Sequence, residues 1–373
     1  MRRLLFIYSF FTLVVFQGVC QFPQFKYHAI GETDKLAAQT SLVDMDNDGD
    51  LDWVVGSVNY VWWFENKGID NWEKHLIGSN PLTETGGVAV DVDGDGLLDQ
   101  VSGQTWYKNT GDPTSEFIRF ENKAIWAYEN IAADINGDGK VDIISNSDLE
   151  GLYWYDFSGR EEKKWKEHSI GEGTRSGIGP KGYGDIDEDG DIDIVKSNVW
   201  YENDGEGKKW IRHASLKISR LDDKYPNCTR SWLVDMDNDN DLDLVQIESY
   251  YSDCRVAWME KQDVRGNTWY LHMIDENSKQ ELQSLAVADF DNDGDLDVYA
   301  GGSTNTSDFH VKSFIYENVD GKGRKWIRHE ILTGIESFGG MAGDIDGDGD
   351  IDIISKPWHG EENYVLENLL ISK

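Results

Sequence analysis

Carboxylates alternate with other residues through a nine-residue phrase that this chain writes seven times. The copies start at Asp44 (DMDNDGDLD), Asp91 (DVDGDGLLD), Asp134 (DINGDGKVD), Asp185 (DIDEDGDID), Asp235 (DMDNDNDLD), Asp289 (DFDNDGDLD) and Asp344 (DIDGDGDID). Side-chain oxygens at positions one, three and five, a backbone carbonyl at seven and a carboxylate at nine form a cage of hard oxygens, which suits calcium. The expected ligands are Asp44, Asp46, Asp48 and Asp52, then Asp91, Asp93, Asp95 and Asp99, then Asp134, Asn136, Asp138 and Asp142. They continue with Asp185, Asp187, Asp189 and Asp193, with Asp235, Asp237, Asp239 and Asp243, with Asp289, Asp291, Asp293 and Asp297, and with Asp344, Asp346, Asp348 and Asp352. Asn136 keeps an oxygen but removes a charge, so the third site is expected to be the weakest. Position six is Gly in six copies and Asn240 in the fifth, the residues that tolerate a left-handed turn. Unlike an EF-hand, the phrase closes with Asp at nine and is flanked by strand-like runs. Up to seven calcium ions in near-identical sites are expected to be structural, because sites repeated along the whole chain cannot all be one active site.

Seventy acidic residues give a net charge of −35, which excludes the basic faces of nucleic-acid binders. The acid is concentrated: 32 Asp lie inside the seven phrases, so much of it reads as ligand rather than as surface.

The phrases recur every 43 to 55 residues, and the residues around them repeat too. A short apolar strand precedes each phrase (Val88-Ala89-Val90, Leu285-Ala286-Val287-Ala288) and another follows it (Ile143-Ile144, Ile194-Val195). A third, aromatic, ends in Glu-Asn (Trp63-Phe64-Glu65-Asn66, Trp200-Tyr201-Glu202-Asn203). A fourth reads Trp-x-x-His, from Trp72 to His75, Trp165 to His168, Trp210 to His213, Trp269 to His272 and Trp326 to His329. Four short strands per repeat of this length predict a propeller blade. The seventh repeat stops at Glu367-Asn368 without a fourth strand, and an orphan one, Phe25–Ile30, stands before the first repeat. Together they predict an all-β, seven-bladed β-propeller whose ring is closed by the N-terminal strand, leaving no open sheet edge. Met1-Arg2-Arg3 followed by the apolar run Leu4–Phe16 reads as a signal peptide over residues 1–20, too short to span a bilayer. That leaves a single propeller domain over 21–373 in a secreted or periplasmic protein with no transmembrane segment.

Seven copies of Asp-x-Asp-x-Asp-Gly-x-x-Asp between short strands, with Trp-Tyr-Glu-Asn and Trp-x-x-His elements, resemble the FG-GAP/VCBS repeat family. The resemblance covers almost the whole mature chain and implies the propeller fold of integrin alpha-subunit heads and of many secreted bacterial proteins. The fold hosts unrelated activities, so function must come from the residues that do not repeat.

The acidic phrases join first and second strands and share one face with the third-to-fourth turns. The irregular loops gather on the opposite face, where function usually sits on a rigid scaffold. Six of the eight His fall in the fourth-strand position and are expected to pack or hydrogen-bond between blades. His310 and His359 are left over, in second-to-third loops of blades six and seven. Long loops on the same face carry Arg175, Lys181, Tyr183, Tyr225 and Arg230. In an oxidising compartment, pairing of Cys228 with Cys254 is expected, with two buried free thiols as the alternative. Cations, aromatics and His on one face of an acidic protein suit an anionic sugar. Some secreted propellers resembling this one are lyases or dehydratases of uronic-acid glycans such as ulvan. By that resemblance Lys181, Arg175 and Arg230 would neutralise a carboxylate, while Tyr225, Tyr183, His310 and His359 would serve as base and acid. The alternative is a non-catalytic propeller that binds glycan or protein. The expected partner is an acidic glycan or oligosaccharide.

Overall fold

The structure, a computed structural model, describes residues 22–83, 85–122, 126–157, 165–216, 218, 228–303 and 310–371. The signal-peptide expectation at residues 1–20 and Tyr225 lie outside these. Each repeat forms a four-stranded antiparallel sheet, seven in all, and no α-helix occurs among the described residues. No helix there is long and apolar enough to cross a membrane. The innermost strands of blades 1 to 7 are Gln39–Val43, Gly87–Val90, Glu129–Ala133, Tyr183–Gly184, Thr229–Val234, Glu281–Ala288 and Phe338–Gly343. Blade 5 gains an extra two-residue strand, Pro180–Lys181, lying parallel to Thr229–Val234. The ring closes as expected: Phe25–Glu32 runs antiparallel to Glu362–Asn368, with His28 opposite Val365.

Tryptophans of the third strands hold the blades together. Trp63, Trp154, Trp200 and Trp258 are buried. Each indole N–H donates to a carbonyl in the third-to-fourth turn of the next blade, at Pro113 (2.9 Å), Gly207 (2.9 Å), Gly266 (3.1 Å) and Gly323 (2.7 Å). The turn must be glycine where the ring presses on it: at Gly323, φ is +61° and a Cβ would meet the Trp258 ring at 2.6 Å.

The fourth-strand histidines act mostly within blades, not between them as expected. His75, His168, His213 and His272 stack on those tryptophans at 4.6, 4.1, 4.1 and 4.4 Å. In three of them Nε2 faces the Glu of the adjacent Glu-Asn element, at 2.9 Å for His75–Glu65 and 2.6 Å for His213–Glu202 and His272–Glu260, whereas His168 Nε2, in a blade without that Glu, is buried with no partner. Strand pairing dictates this, since it sets Trp63 opposite His75 on one sheet. His28 also bridges blades, because its Nδ1 lies 2.5 Å from Asp70 of blade 1.

The Asn that follows that Glu joins neighbours. Asn66, Asn203 and Asn368 each donate, at 2.8 Å, to the position-two carbonyl of the preceding blade's acidic loop. In blade 5 a lysine replaces this Asn, and Lys261 Nζ reaches the equivalent carbonyl, Ile186, at 3.1 Å.

The expected disulfide is not formed: Cys228 and Cys254 are both free and buried. Cys254 packs among Val256, Leu282 and their neighbours, and its Sγ donates to the Tyr251 carbonyl at 3.1 Å. Cys228 sits at the start of the innermost strand of blade 5, near Glu129 and Arg230. Burial pushes the thiols up to about 11 and about 12, so both stay protonated at neutral pH.

Candidate functional site

On the acidic-loop face, the first-position Asp folds each loop. In loop one, Asp48 and Gly49 donate their N–H groups to the two Asp44 oxygens at 3.0 Å. Position six is left-handed throughout the repeats, including Asn240 at φ +72°. Position four is left-handed as well, as at Asn47, Asn238 and Glu188, which the sequence pattern did not reveal.

The ninth-position Asp does more than close a cage. Asp52 accepts the N–H of Met45 at 2.9 Å and of Asn66 at 2.8 Å, tying the loop to the third strand. The equivalents at Asp193, Asp297 and Asp352 do the same. Burial pushes Asp52, Asp99, Asp142 and Asp352 up to about 7, and Asp193, Asp243 and Asp297 to about 8.

Carboxylate oxygens of Asp44, Asp46 and Asp48, of Asp91, Asp93 and Asp99, of Asp185, Asp187 and Asp193, and of Asp235, Asp237 and Asp239 lie within 4.8 Å of one another in each loop. Oδ1 atoms of Asp187, Asp237 and Asp344 are buried with no hydrogen-bond partner. Burial, then the neighbouring Asp293 charge, pushes Asp291 up to about 6. Unpartnered buried oxygens packed among like charges are the donor set that a hard divalent cation would satisfy.

The opposite face surrounds the mouth of the central channel. The innermost strands of all seven blades line a cavity of about 320 Å³ there, with Glu129, Tyr183, Arg230 and Gln283 among its walls. Arg230 lies within the strand Thr229–Val234 and points across the ring. Its Nη1 is 3.0 Å from Glu129 of blade 3, its Nη2 donates to Gln283 of blade 6 at 3.4 Å, and its buried Nε has no partner. Burial raises Glu129 above the usual carboxylate range against the opposing pull of Arg230, while Ile178 N–H and the Asn146 amide also donate to it. Tyr250, held at φ +67°, feels both Arg230 and Arg175, and burial keeps its phenol protonated, up at about 12. A bulky residue in that conformation is strained by about 1–3 kcal/mol, a cost that clusters at functional positions.

The expected residues divide. Arg230 and Arg175 both bear on Tyr250 and Cys228, while Lys181 lies on the short strand beside Thr229–Val234. Arg175 pairs with Asp148 at 3.2 Å and lies 5.0 Å over the Tyr128 ring, and the Lys181 ammonium sits 5.7 Å over Trp232. Tyr183 is packed into the channel wall, where burial raises its pKa and makes it a poor base. His310 is exposed at the edge of the undescribed residues 304–309, with no bond to the Arg230 group. His359 is joined to that group through aromatics. The Arg230 guanidinium is 5.7 Å from the Phe338 ring, Phe338 stacks on Trp358 at 4.6 Å, and Trp358 adjoins His359. His359 is 48% exposed, with Nδ1 3.0 Å from Glu336 and its own backbone N–H donated to the same carboxylate at 2.9 Å.

Glu129, Glu336 and Phe338 escaped the sequence reading. Their only sequence signal is that none has a counterpart in the repeat.

A sequence profile of the FG-GAP-like repeat matches residues 44–102, 134–195 and 289–355. No curated protein matches the chain by sequence. Among solved structures, a lectin of Agrocybe aegerita, described by its recognition of non-reducing terminal N-acetylglucosamine, superposes with a TM-score of 0.54 at 16% identity, covering 81% of each chain. BBS1N in complex with ARL6DN superposes at 0.51 and 9% identity, covering 91% of this chain and 95% of that one. The rhamnogalacturonan lyase YesW follows at 0.47 and 13%, covering 90% and 75%. At these identities the likeness is one of fold.

Proposed function

The chain belongs to the FG-GAP-like repeat family, and from that premise we propose that it is a carbohydrate-active propeller that binds an acidic sugar at the channel mouth and carries out elimination on it. One observation carries the reading: Arg230 and His359 flank the same Phe338–Trp358 stack. A pyranose ring would lie against half-buried Trp358. Arg230, with an unpartnered Nε, would meet the uronate carboxylate and stabilise the enolate that forms when the neighbouring proton leaves. Glu336 holds His359 Nδ1, which leaves Nε2 to take that proton. The C–O bond one carbon further along then breaks, and protonated Tyr250 is the acid for the departing oxygen. Arg175 and Lys181 add positive charge around the mouth. The reading carries with it structural calcium in the acidic loops and export directed by residues 1–20.

A non-catalytic, lectin-like reading is favoured by the Glu129–Arg230 pair, which already neutralises the central cation from within. The two readings separate in an ultraviolet assay with uronate glycans and their oligomers. New absorbance from an unsaturated product, abolished in His359→Ala, supports elimination. Retention on a glycan column with no new absorbance on any uronate substrate supports the lectin-like reading.

A further inference from the structure

In five blades the residue before the conserved Asn, or before Lys261 in its place, is a glutamate: Glu65, Glu202, Glu260, Glu317 and Glu367. Each faces a fourth-strand histidine, with Nε2 between 2.6 and 2.9 Å away. Four of these glutamates stand beside the third-position Asp of their own acidic loops. The Glu202, Glu260 and Glu317 charges bear on Asp187, Asp237 and Asp291, and Glu65 bonds to Asp46. Around those loops the protein therefore adds negative charge.

Blade 2 reverses the sign. Lys108 occupies the glutamate position, directly before Asn109, and the fourth-strand partner changes with it: Phe120, not His, stacks on Trp106 at 5.0 Å. The strand register confirms the equivalence, since Trp106 faces Phe120 as Trp63 faces His75. Only 14% exposed, the Lys108 side chain turns into the loop, where its ammonium donates to Asp93 Oδ2 and lies 3.3 Å from Asp95 Oδ2. Those are positions three and five of the second phrase.

We propose that the second acidic loop carries its own cation: the Lys108 ammonium takes the place that a divalent ion would hold in the loops flanked by glutamate. A divalent ion entering there would meet a fixed positive charge in a partly desolvated site, with two of its carboxylates already engaged. The second loop thus differs from its relatives through a residue fifteen positions beyond Asp93, on the neighbouring strand. Its own nine residues, apart from Leu97 at position seven, look like a complete site.

The inference rests on the calcium reading of the other loops, and ion counting by native mass spectrometry on the full chain tests both. Calcium alone is the probe. In wild type, Asp95→Asn is expected to leave the number of bound ions unchanged. Lys108→Glu is expected to bind one ion more than wild type, and Asp95→Asn in that background to remove it. Lys108→Gln, which deletes the charge and keeps a polar side chain one atom shorter, is expected to raise calcium affinity at this loop more than about 100-fold, and it serves if the glutamate variant folds poorly. A wild-type count that falls by one with Asp95→Asn overturns this inference alone. A wild-type chain that binds no calcium overturns the calcium reading and this inference with it.

Discussion

The two faces of the ring grow from the same seven repeats and solve opposite problems. On the acidic-loop face the turns are bonded to their own repeats: in loop one the first Asp folds the loop, the ninth clips it to the third strand at Asn66, and that Asn reaches the preceding blade. Bonds there are local and periodic. On the opposite face the Glu129–Arg230 pair spans 101 residues and crosses the channel from blade 3 to blade 5. It has no counterpart in the other repeats. Repetition makes a frame in which each part is replaceable in kind, whereas the channel mouth depends on single residues that meet only because the ring is closed.

That contrast can be broken in four ways. The largest effect is expected from removing divalent cations. A saturated site at a hundredfold excess over its dissociation constant contributes about 2.7 kcal/mol, so several sites together should move the melting temperature by more than about 10 °C. Calorimetry with and without chelator measures this, and indifference to chelator removes calcium from the frame.

Next is Arg230→Ala, which strands Glu129 as an uncompensated buried carboxylate and should cost about 3–5 kcal/mol in denaturant unfolding. The pair Glu129→Gln with Arg230→Met should recover most of that stability without recovering sugar binding. Recovery of both would mean that the cation does not touch the ligand.

Smaller is a pH effect at Lys356, buried near Glu336, Asp34 and Glu361, with its ammonium donated to the Asp34 and Pro357 carbonyls. Burial depresses it from 10.5 to about 8. Between about pH 8 and 10.5 the unfolded chain therefore holds a proton that the folded chain has lost, and stability rises with pH through that window, by at most about 3 kcal/mol. Lys356→Met should flatten this rise when unfolding is followed at pH 8, 9 and 10.

The smallest stability change is expected for His359→Ala, under about 0.5 kcal/mol for so exposed a side chain. Loss of glycan activity by about 100-fold or more, with an unchanged melting temperature, would separate the working face from the frame. A large destabilisation would assign His359 to the frame instead.

The frame was legible in the sequence because it is written seven times. Strand order, the closing strand and the Trp-x-x-His elements all follow from aligning the chain with itself. Even the histidine–glutamate pairs are implicit, since His75 and Glu65 stand ten residues apart on adjacent strands. The mouth was half legible. Subtracting the repeat exposed Arg175, Arg230 and His359, but Glu129 gains its role only from Arg230 across the ring and Glu336 from His359 in another loop of its blade, which no repeat spacing encodes. The cysteines misled for the same reason: loops of one blade placed them in one region, while packing turned Cys254 into the apolar interior.

The seam of blade 7 has a kinetic consequence. Phe25–Glu32 must wait for Glu362–Asn368, and the two lie at opposite ends of the propeller sequence. A ribosome delivers the first strand long before its partner exists. Until they meet, six complete blades would hold an arc with two bare edges and a loose terminal ribbon, a state exposed to wrong pairing. The entropic cost of closing so long a loop grows only logarithmically with its length, so the seam is thermodynamically modest, but it delays completion. Phe22, stacked on His329 of blade 6 at 3.7 Å, extends the strand's grip past its own sheet. A ring built from many local agreements thus becomes native through one late, long-distance handshake.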